Sequence, residues 1–122
     1  MPTAEAKEQA WRDAVERDDV PNETMRSIAI AFPQPGQEDV LQPYVQRYLD
    51  TANDIWEKRG VHRASTVLTY MFPTVLATQE TLDITDAWLA RTEANPAARR
   101  LVGEGRDDLA RALAAQARDR TR

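Results

Sequence analysis

The sequence of 122 residues contains no cysteine and no long apolar run. Without cysteine there is no disulfide framework, no thiol nucleophile and no thiolate ligand for a metal. No apolar run reaches the roughly 18–20 residues that span a bilayer, and the N-terminal residues do not resemble a signal peptide. We therefore expect a cytoplasmic protein that is not inserted in a membrane.

Side chains with catalytic chemistry are also scarce. A zinc hydrolase of the H-E-x-x-H type needs two histidines one helical turn apart, and the chain has only His62. We expect His62 to face solvent or to cap a helix. Neither Ser27 nor Ser65 follows a strand-to-helix elbow, and no glycine precedes a Lys-Ser or Lys-Thr pair that would bind phosphate. The sequence thus predicts no catalytic, no cofactor-binding and no metal-binding residue.

Adjacent acidic residues occur at 18–19 and 107–108. Neighbouring residues on a helix point about 100° apart, so their carboxylates do not converge on one proton or metal ion. Asp107 is better explained by an ion pair with Arg111, four residues later. These acidic pairs are therefore interpreted as structural.

The net charge is −4 and the isoelectric point is about 5.0, which argues against binding to nucleic acid or to an anionic membrane. Arginines are concentrated near the C-terminus. A solvated helix face explains these arginines most simply. The more specific alternative is that they form a surface that docks on an acidic partner. These residues are Arg99, Arg100, Arg106, Arg111, Arg118, Arg120 and Arg122.

Apolar periodicity predicts an all-α chain with about six helices. Asn22, Thr78 or Thr81, and Asn95 followed by Pro96 are typical helix starts, and Gly60 is typical of a helix end. The predicted helices cover residues 3–17, 22–32, 37–59, 61–72, about 79–91 and 96–118.

The segment 37–59 has the strongest helical pattern of the chain. Its apolar residues recur at i, i+3, i+4 and i+7, and an uninterrupted helix of this length would be roughly 30 Å long. Pro43 either restarts this helix or kinks it after one turn. Tyr44, Tyr48 and Trp56 have the spacing of core residues rather than of a ligand-stacking surface.

The helices group as three antiparallel pairs in a single domain of residues 1–122. The pairs begin near residues 3, 38 and 79, which are spacings of 35 and 41 residues. Helical-hairpin solenoids repeat at roughly 34–47 residues, so a short HEAT-like superhelical stack is predicted. A compact helical bundle is the alternative, because the pairs share no clear internal motif.

Three segments carry a resemblance to a known family: AWRDAVERDDVPNETMRSIAIAF (10–32), PQPGQEDVLQPYVQRYLDTANDIWEKRG (33–60) and TDAWLARTEANPAARRLVGEGRDDLARALAAQARD (85–119). Together they resemble the end of the C-terminal domain of bacterial zinc aminopeptidase N, a helical, HEAT-like domain also found in the endoplasmic-reticulum aminopeptidases. The similarity extends over nearly the whole chain and includes no catalytic fingerprint.

The resemblance implies a non-catalytic terminal fragment of a zinc metallopeptidase. In that family the zinc ligands and the substrate-binding motif lie in a separate catalytic domain, so no site residue transfers to this chain. The C-terminal domain forms a bowl that encloses the substrate chamber. The implied partners are the catalytic domain of the same parent chain and, through it, peptide substrates. The implied cofactor is zinc in the parent alone.

This interpretation leads to one further expectation and has two alternatives. A solenoid cut between repeats exposes an apolar face, so we expect Trp11 and Val15 to form an exposed patch that promotes self-association. The alternative to the fragment interpretation is a free-standing helical module that binds another protein. An independent enzyme of unrecognised type is the weakest alternative.

Overall fold

The computed structural model describes residues 4–91 and 93–120, and this part of the chain consists of helices and connecting loops, without a β-strand. Helix α1 (Ala4–Trp11) continues directly into a π-helical turn at Arg12–Glu16. The α-helices are α1 (Ala4–Trp11), α2 (Asn22–Ala31), α3 (Glu38–Leu41), α4 (Tyr44–Ala52), α5 (Ile55–Tyr70), α6 (Gln79–Ala90) and α7 (Pro96–Arg120). The predicted helix start at residue 3 and the predicted exposed Arg122 lie outside the described residues.

The helices form three pairs stacked in two layers. Helix α1 with its π-helical turn packs on α2, α4 packs on α5, and α6 packs on α7. One layer contains α1, α4 and α6, and the other contains α2, α5 and α7. Within the second layer α5 contacts both α2 and α7, and in the first layer α4 contacts α6. The middle pair therefore lies between the outer pairs, which confirms the predicted all-α, HEAT-like stack.

Several predicted helix boundaries are confirmed by hydrogen bonds. The Thr78 side chain accepts a hydrogen bond of 3.1 Å from the backbone N–H of Thr81, and so caps α6. Asn95 accepts one of 2.8 Å from the N–H of Ala97, and Pro96 is the first residue of α7. Gly60 has φ = 82° and ends a helical segment within α5, as predicted for a residue that needs positive φ.

The predicted N-cap at Asn22 is wrong by one residue. Asn22 is the first residue of α2, and Pro21 precedes it with extended backbone angles. The Pro21 carbonyl accepts a hydrogen bond of 2.9 Å from the N–H of Met25, so Pro21 occupies the cap position. No side-chain cap is formed at this helix end.

The helix predicted for residues 37–59 is interrupted at two places, and only the break at Pro43 is predicted. Pro43, which has no N–H to donate, separates the single turn of α3 from α4 and confirms the restart at this residue. A second break follows α4 at Asn53 and Asp54. There the side-chain oxygen of Asn53 accepts a hydrogen bond of 2.7 Å from the indole N–H of Trp88. This contact with α6 is tertiary, so the local apolar pattern could not reveal it.

The core is continuous through the three pairs. Trp11, Phe32 and Tyr44 form an aromatic cluster with ring centroids 5.1–5.8 Å apart, which joins the first pair to α4. Tyr48 packs edge-on against Phe72, 5.4 Å away, and joins α4 to the end of α5. Tyr44 and Tyr48 are thus core residues, as predicted.

Two predicted exposures are reversed. Trp11 and Val15 are only 2% and 6% exposed, so the predicted apolar patch at these residues is wrong. The reason is that α2 and α4 cover them within the chain itself. Conversely the apolar spacing of the predicted helix 61–72 places Val61 on the same side as Ala64 and Val67, facing inward. Val61 is instead 62% exposed, because the backbone turn at Gly60 directly precedes it and re-orients the helix.

Candidate functional site

An open groove lies between α2 and the second half of α5. Its volume is about 500 Å³. Seven residues line it: Arg26, Val61, His62, Ser65, Thr66, Thr69 and Tyr70. We call it the α2–α5 groove.

Helix periodicity places the α5 residues of this groove on one side. Val61, Ser65 and Thr69 are spaced by four residues, as are His62, Thr66 and Tyr70, so two adjacent rows face the groove. At 1.5 Å per residue, the rows extend over roughly 14 Å. Apolar residues of the same helix, such as Val67 and Leu68, point into the core instead.

The α2–α5 groove is basic and rich in hydroxyl groups. The Arg26 guanidinium donates a hydrogen bond of 3.1 Å to the phenol oxygen of Tyr70 and lies 5.4 Å from the centre of its ring. Ser65, Thr66 and Thr69 contribute aliphatic hydroxyls, and none of the seven lining residues is acidic. The groove therefore favours an anionic ligand over a cationic one.

Exposed apolar side chains lie on the same two helices as Arg26 and the groove. Val61 lines the groove, and Ile30 follows Arg26 by four residues on α2 and is 48% exposed. These are the large apolar side chains of the described residues that are most accessible to water. The surface thus offers apolar contacts as well as charge.

The single histidine is exposed, as predicted, but it has no catalytic surroundings. Ser65 lines the same groove, whereas the Ser27 hydroxyl donates a hydrogen bond of 3.1 Å to the backbone oxygen of Glu23. No carboxylate among the groove-lining residues could orient His62 as a general base. The groove is suited to binding rather than to nucleophilic chemistry.

The acidic pair on α7 is structural, although its predicted partner is wrong. Arg111 contacts Asp108, three residues away, instead of Asp107. Asp107 lies 3.4 Å from the neighbouring Arg106. Both i,i+3 and i,i+4 spacings bring side chains together on a helix, so the spacing alone did not distinguish the two partners.

The other acidic pair is divided between two arginines. Asp18 lies 2.6 Å from Arg59, and Asp19 lies 2.8 Å from Arg17. Across residues 4–91 and 93–120, no group of three or more His, Cys, Asp or Glu side chains could hold a metal ion. In the same ranges no helix is both long and apolar enough to cross a membrane.

The arginines of α7 that the structure describes mostly have partners within the chain. Arg106 lies 2.7 Å from Asp86 on α6, and Arg100 lies 3.3 Å from Glu104. The guanidinium of Arg99 donates a hydrogen bond of 2.8 Å to the backbone oxygen of Leu89. These contacts favour the solvated-face interpretation of α7 over an open basic docking surface.

A charged contact joins α1 of the first pair to α4 of the second pair. Arg47 on α4 donates two hydrogen bonds to the carboxylate of Glu8 on α1, at 2.6 and 2.9 Å. Its guanidinium also lies about 5 Å from the rings of Trp11 and Tyr44. The hydrogen bond from Arg47 lowers the pKa of the Glu8 carboxyl below its ordinary value. We call this contact the α1–α4 clasp.

A buried lysine lies beside the clasp. The Lys7 ammonium donates a hydrogen bond of 2.7 Å to the backbone oxygen of Phe32 and lies 4.8 Å from the centre of the Phe32 ring. Burial lowers the pKa of Lys7. Because its donor is used at the end of α2, Lys7 has a structural role.

These features define the class of the protein as a two-layer helical repeat with an open groove and no assembled catalytic or metal centre in its described residues. The sequence matches the ERAP1-like C-terminal domain family over residues 1–111. The chain belongs to this family. The resemblance seen in the sequence is thereby confirmed.

The chain is also similar to part of a much larger protein. Aminopeptidase N of Streptomyces lividans is 42% identical over 118 residues. The aligned region is 97% of this chain but only 14% of that protein. The similarity is therefore to one part of that aminopeptidase.

Proposed function

We propose that this chain is the non-catalytic C-terminal helical part of a zinc-dependent aminopeptidase N. In the parent enzyme, which removes N-terminal residues from peptides, it helps to enclose the substrate chamber. Its partners are the catalytic domain of the same parent chain and the peptides admitted to the chamber. The parent is a cytoplasmic hydrolase.

The observation that carries this proposal is the extent of the similarity. A family defined as a C-terminal domain accounts for residues 1–111, and the matching aminopeptidase N is about seven times longer than the aligned region. The two-layer stack supports an enclosing role, because stacked helix pairs build curved, extended surfaces.

The chemistry of the chain fits a non-catalytic role. The described residues do not provide a donor set suitable for zinc, so the metal belongs to another part of the parent. When bound there, zinc activates water for attack on the scissile carbonyl. No step of that reaction is assigned to this chain.

The parent context can be tested on the native protein. An antibody against this chain should detect a band far larger than 13.8 kDa in source cells. Hydrolysis of an aminoacyl-p-nitroanilide should co-purify with that band and be lost on treatment with a zinc chelator. A single band near 13.8 kDa without peptidase activity would refute the proposal.

The enclosing role needs a separate test on the parent enzyme. Removal of residues 1–122 should leave hydrolysis of a small aminoacyl-p-nitroanilide measurable and should change the relative rates for short and long peptides. A full-length parent with the substitution Gly103→Ala is the matched control, since Gly103 has open space around it. An unchanged ratio of rates in a folded, truncated enzyme would contradict the enclosing role.

The second candidate is a free-standing helical module that binds another protein. The observation that favours it is the α2–α5 groove, in which Arg26 and the exposed Val61 lie together. The immunoblot distinguishes the two candidates, because only the free-standing module gives a band near 13.8 kDa.

A further inference from the structure

We propose that the α2–α5 groove binds an acidic segment of a protein chain, with Arg26 receiving a carboxylate and Val61 contacting an apolar side chain. This inference depends on the groove alone. It holds or fails independently of the parent enzyme assigned above.

Arg26 lies in the groove without a carboxylate partner among the described residues. Eight other arginines lie within 4.0 Å of a carboxylate of this chain. Arg26 instead contacts the neutral phenol of Tyr70, and no carboxylate lies this close to it in the described ranges. The phenol and the ring of Tyr70 orient the guanidinium, which leaves its remaining donors available to a ligand.

The charge of the groove is complementary to that of an acidic segment. The chain has 20 acidic residues among 122, yet none lines the groove. An approaching carboxylate therefore meets a cation and no nearby repelling carboxylate within the lining. A segment with basic side chains would be disfavoured at the same place.

The hydroxyl groups of the groove can pair with the backbone of a bound peptide. An extended peptide has unpaired N–H and C=O groups along its length. The hydroxyls of Ser65 and Thr69 occur at successive turns of α5 and can both donate and accept hydrogen bonds. The groove can therefore satisfy ligand backbone groups as well as a carboxylate.

Size selects an extended segment rather than a folded domain. The α5 side of the groove extends over roughly 14 Å, which corresponds to about four residues of extended chain at 3.3 Å each. The volume of about 500 Å³ is in the range of pockets that hold small ligands or short peptides. Val61, at 62% exposure, provides an apolar contact at one end.

The test is direct binding of a defined peptide to the 122-residue chain. The probe is a hexapeptide of alternating leucine and glutamate labelled with an uncharged BODIPY dye and blocked at both ends, so that only side chains carry charge. Its matched partner has glutamine in place of glutamate. Fluorescence anisotropy should show that the glutamate peptide binds about fivefold more tightly at low salt, with a smaller difference at high salt.

Variants locate the binding site. Arg26→Gln should reduce the affinity for the glutamate peptide to that for the glutamine peptide, and Arg26→Lys should retain part of the preference. Val61→Ser should weaken both peptides. Arg100→Gln is the matched control, because Arg100 is an exposed arginine of α7 outside the groove. Circular dichroism establishes that each variant is folded.

Three results would overturn the proposal. Equal binding of the two peptides would show an apolar site without carboxylate recognition. An unchanged preference in folded Arg26→Gln would place binding elsewhere. If neither peptide binds and Val61→Ser instead abolishes a concentration-dependent dimer in sedimentation, the occupant of the groove is a second copy of the chain.

Discussion

Replacing Gly105 with alanine should leave the chain no more stable than before and up to about 2 kcal/mol less stable, although alanine favours a helix more than glycine does. A Cβ atom at this position would lie 2.6 Å from Cγ and 2.7 Å from Cδ2 of Phe72. Phe72 is 3% exposed, and its ring is held edge-on against Tyr48, so it cannot move away freely. Overpacking of this kind typically costs about 1–3 kcal/mol.

Gly103 provides the matched control for this substitution. It lies two residues earlier in α7, and a Cβ atom there would have no neighbour within 4 Å. The gain in helix propensity is about 1 kcal/mol for each substitution. Gly103→Ala should therefore stabilise the chain by about 1 kcal/mol, and Gly105→Ala should lie about 1–3 kcal/mol below it.

Thermal or urea unfolding monitored by circular dichroism at 222 nm measures this difference. For a chain of 122 residues, 1 kcal/mol corresponds to about 4 °C in Tm. The two variants should thus differ by about 4–12 °C. Equal Tm values for the two alanine variants would refute the close contact between α7 and Phe72.

Three further predictions concern other helices. Gly60→Ala should lower the free energy of unfolding by about 1–3 kcal/mol, because φ = 82° with ψ = 169° strains a residue with a Cβ atom. Urea unfolding tests this, with Gly103→Ala as the control. Tyr48→Phe should cost about 1–2 kcal/mol, because the buried hydroxyl donates a hydrogen bond of 2.6 Å to the Leu68 carbonyl, and a urea midpoint equal to that of the unsubstituted chain would contradict it. The pKa of Glu8 is lower in the folded chain than its ordinary value of 4.5. The Glu8 carboxylate therefore stabilises the fold at pH values above 4.5, and this contribution is lost as the pH falls through the folded-state pKa. Glu8→Gln should therefore flatten the decrease of the urea midpoint in acid, and an unchanged pH profile would exclude this role of the α1–α4 clasp.

The helical content and the pairing could be predicted from the sequence because their signals are local. The Thr78 cap, the Asn95–Pro96 start and the turn at Gly60 depend on the chemistry of a few adjacent residues. In each case the local preference agrees with the tertiary structure.

The remaining features depend on contacts between distant residues. The break after α4 involves the hydrogen bond from Trp88 to Asn53, 35 residues apart. Burial of Trp11 depends on Phe32 and Tyr44, and the apolar pattern of α1 alone could not show what covers it.

The α2–α5 groove was not predicted, because Arg26 and Tyr70 come from different helix pairs and are 44 residues apart. Its only local signal is the recurrence of Ser65 and Thr69 at successive turns of α5. That pattern is equally typical of an ordinary solvated helix face. The sequence alone therefore does not favour a binding groove over a solvated helix face.

The position of the middle pair has a consequence for how the chain opens. Helices α4 and α5 contact neighbours on both sides, whereas each outer pair packs mainly against the middle one. Amide protons of α1 or α7 can therefore exchange with solvent after one interface separates, but those of α4 and α5 become accessible only when both do. Protection should rise from the two ends of the stack towards its centre, so that slow exchange marks the innermost helices rather than the longest one.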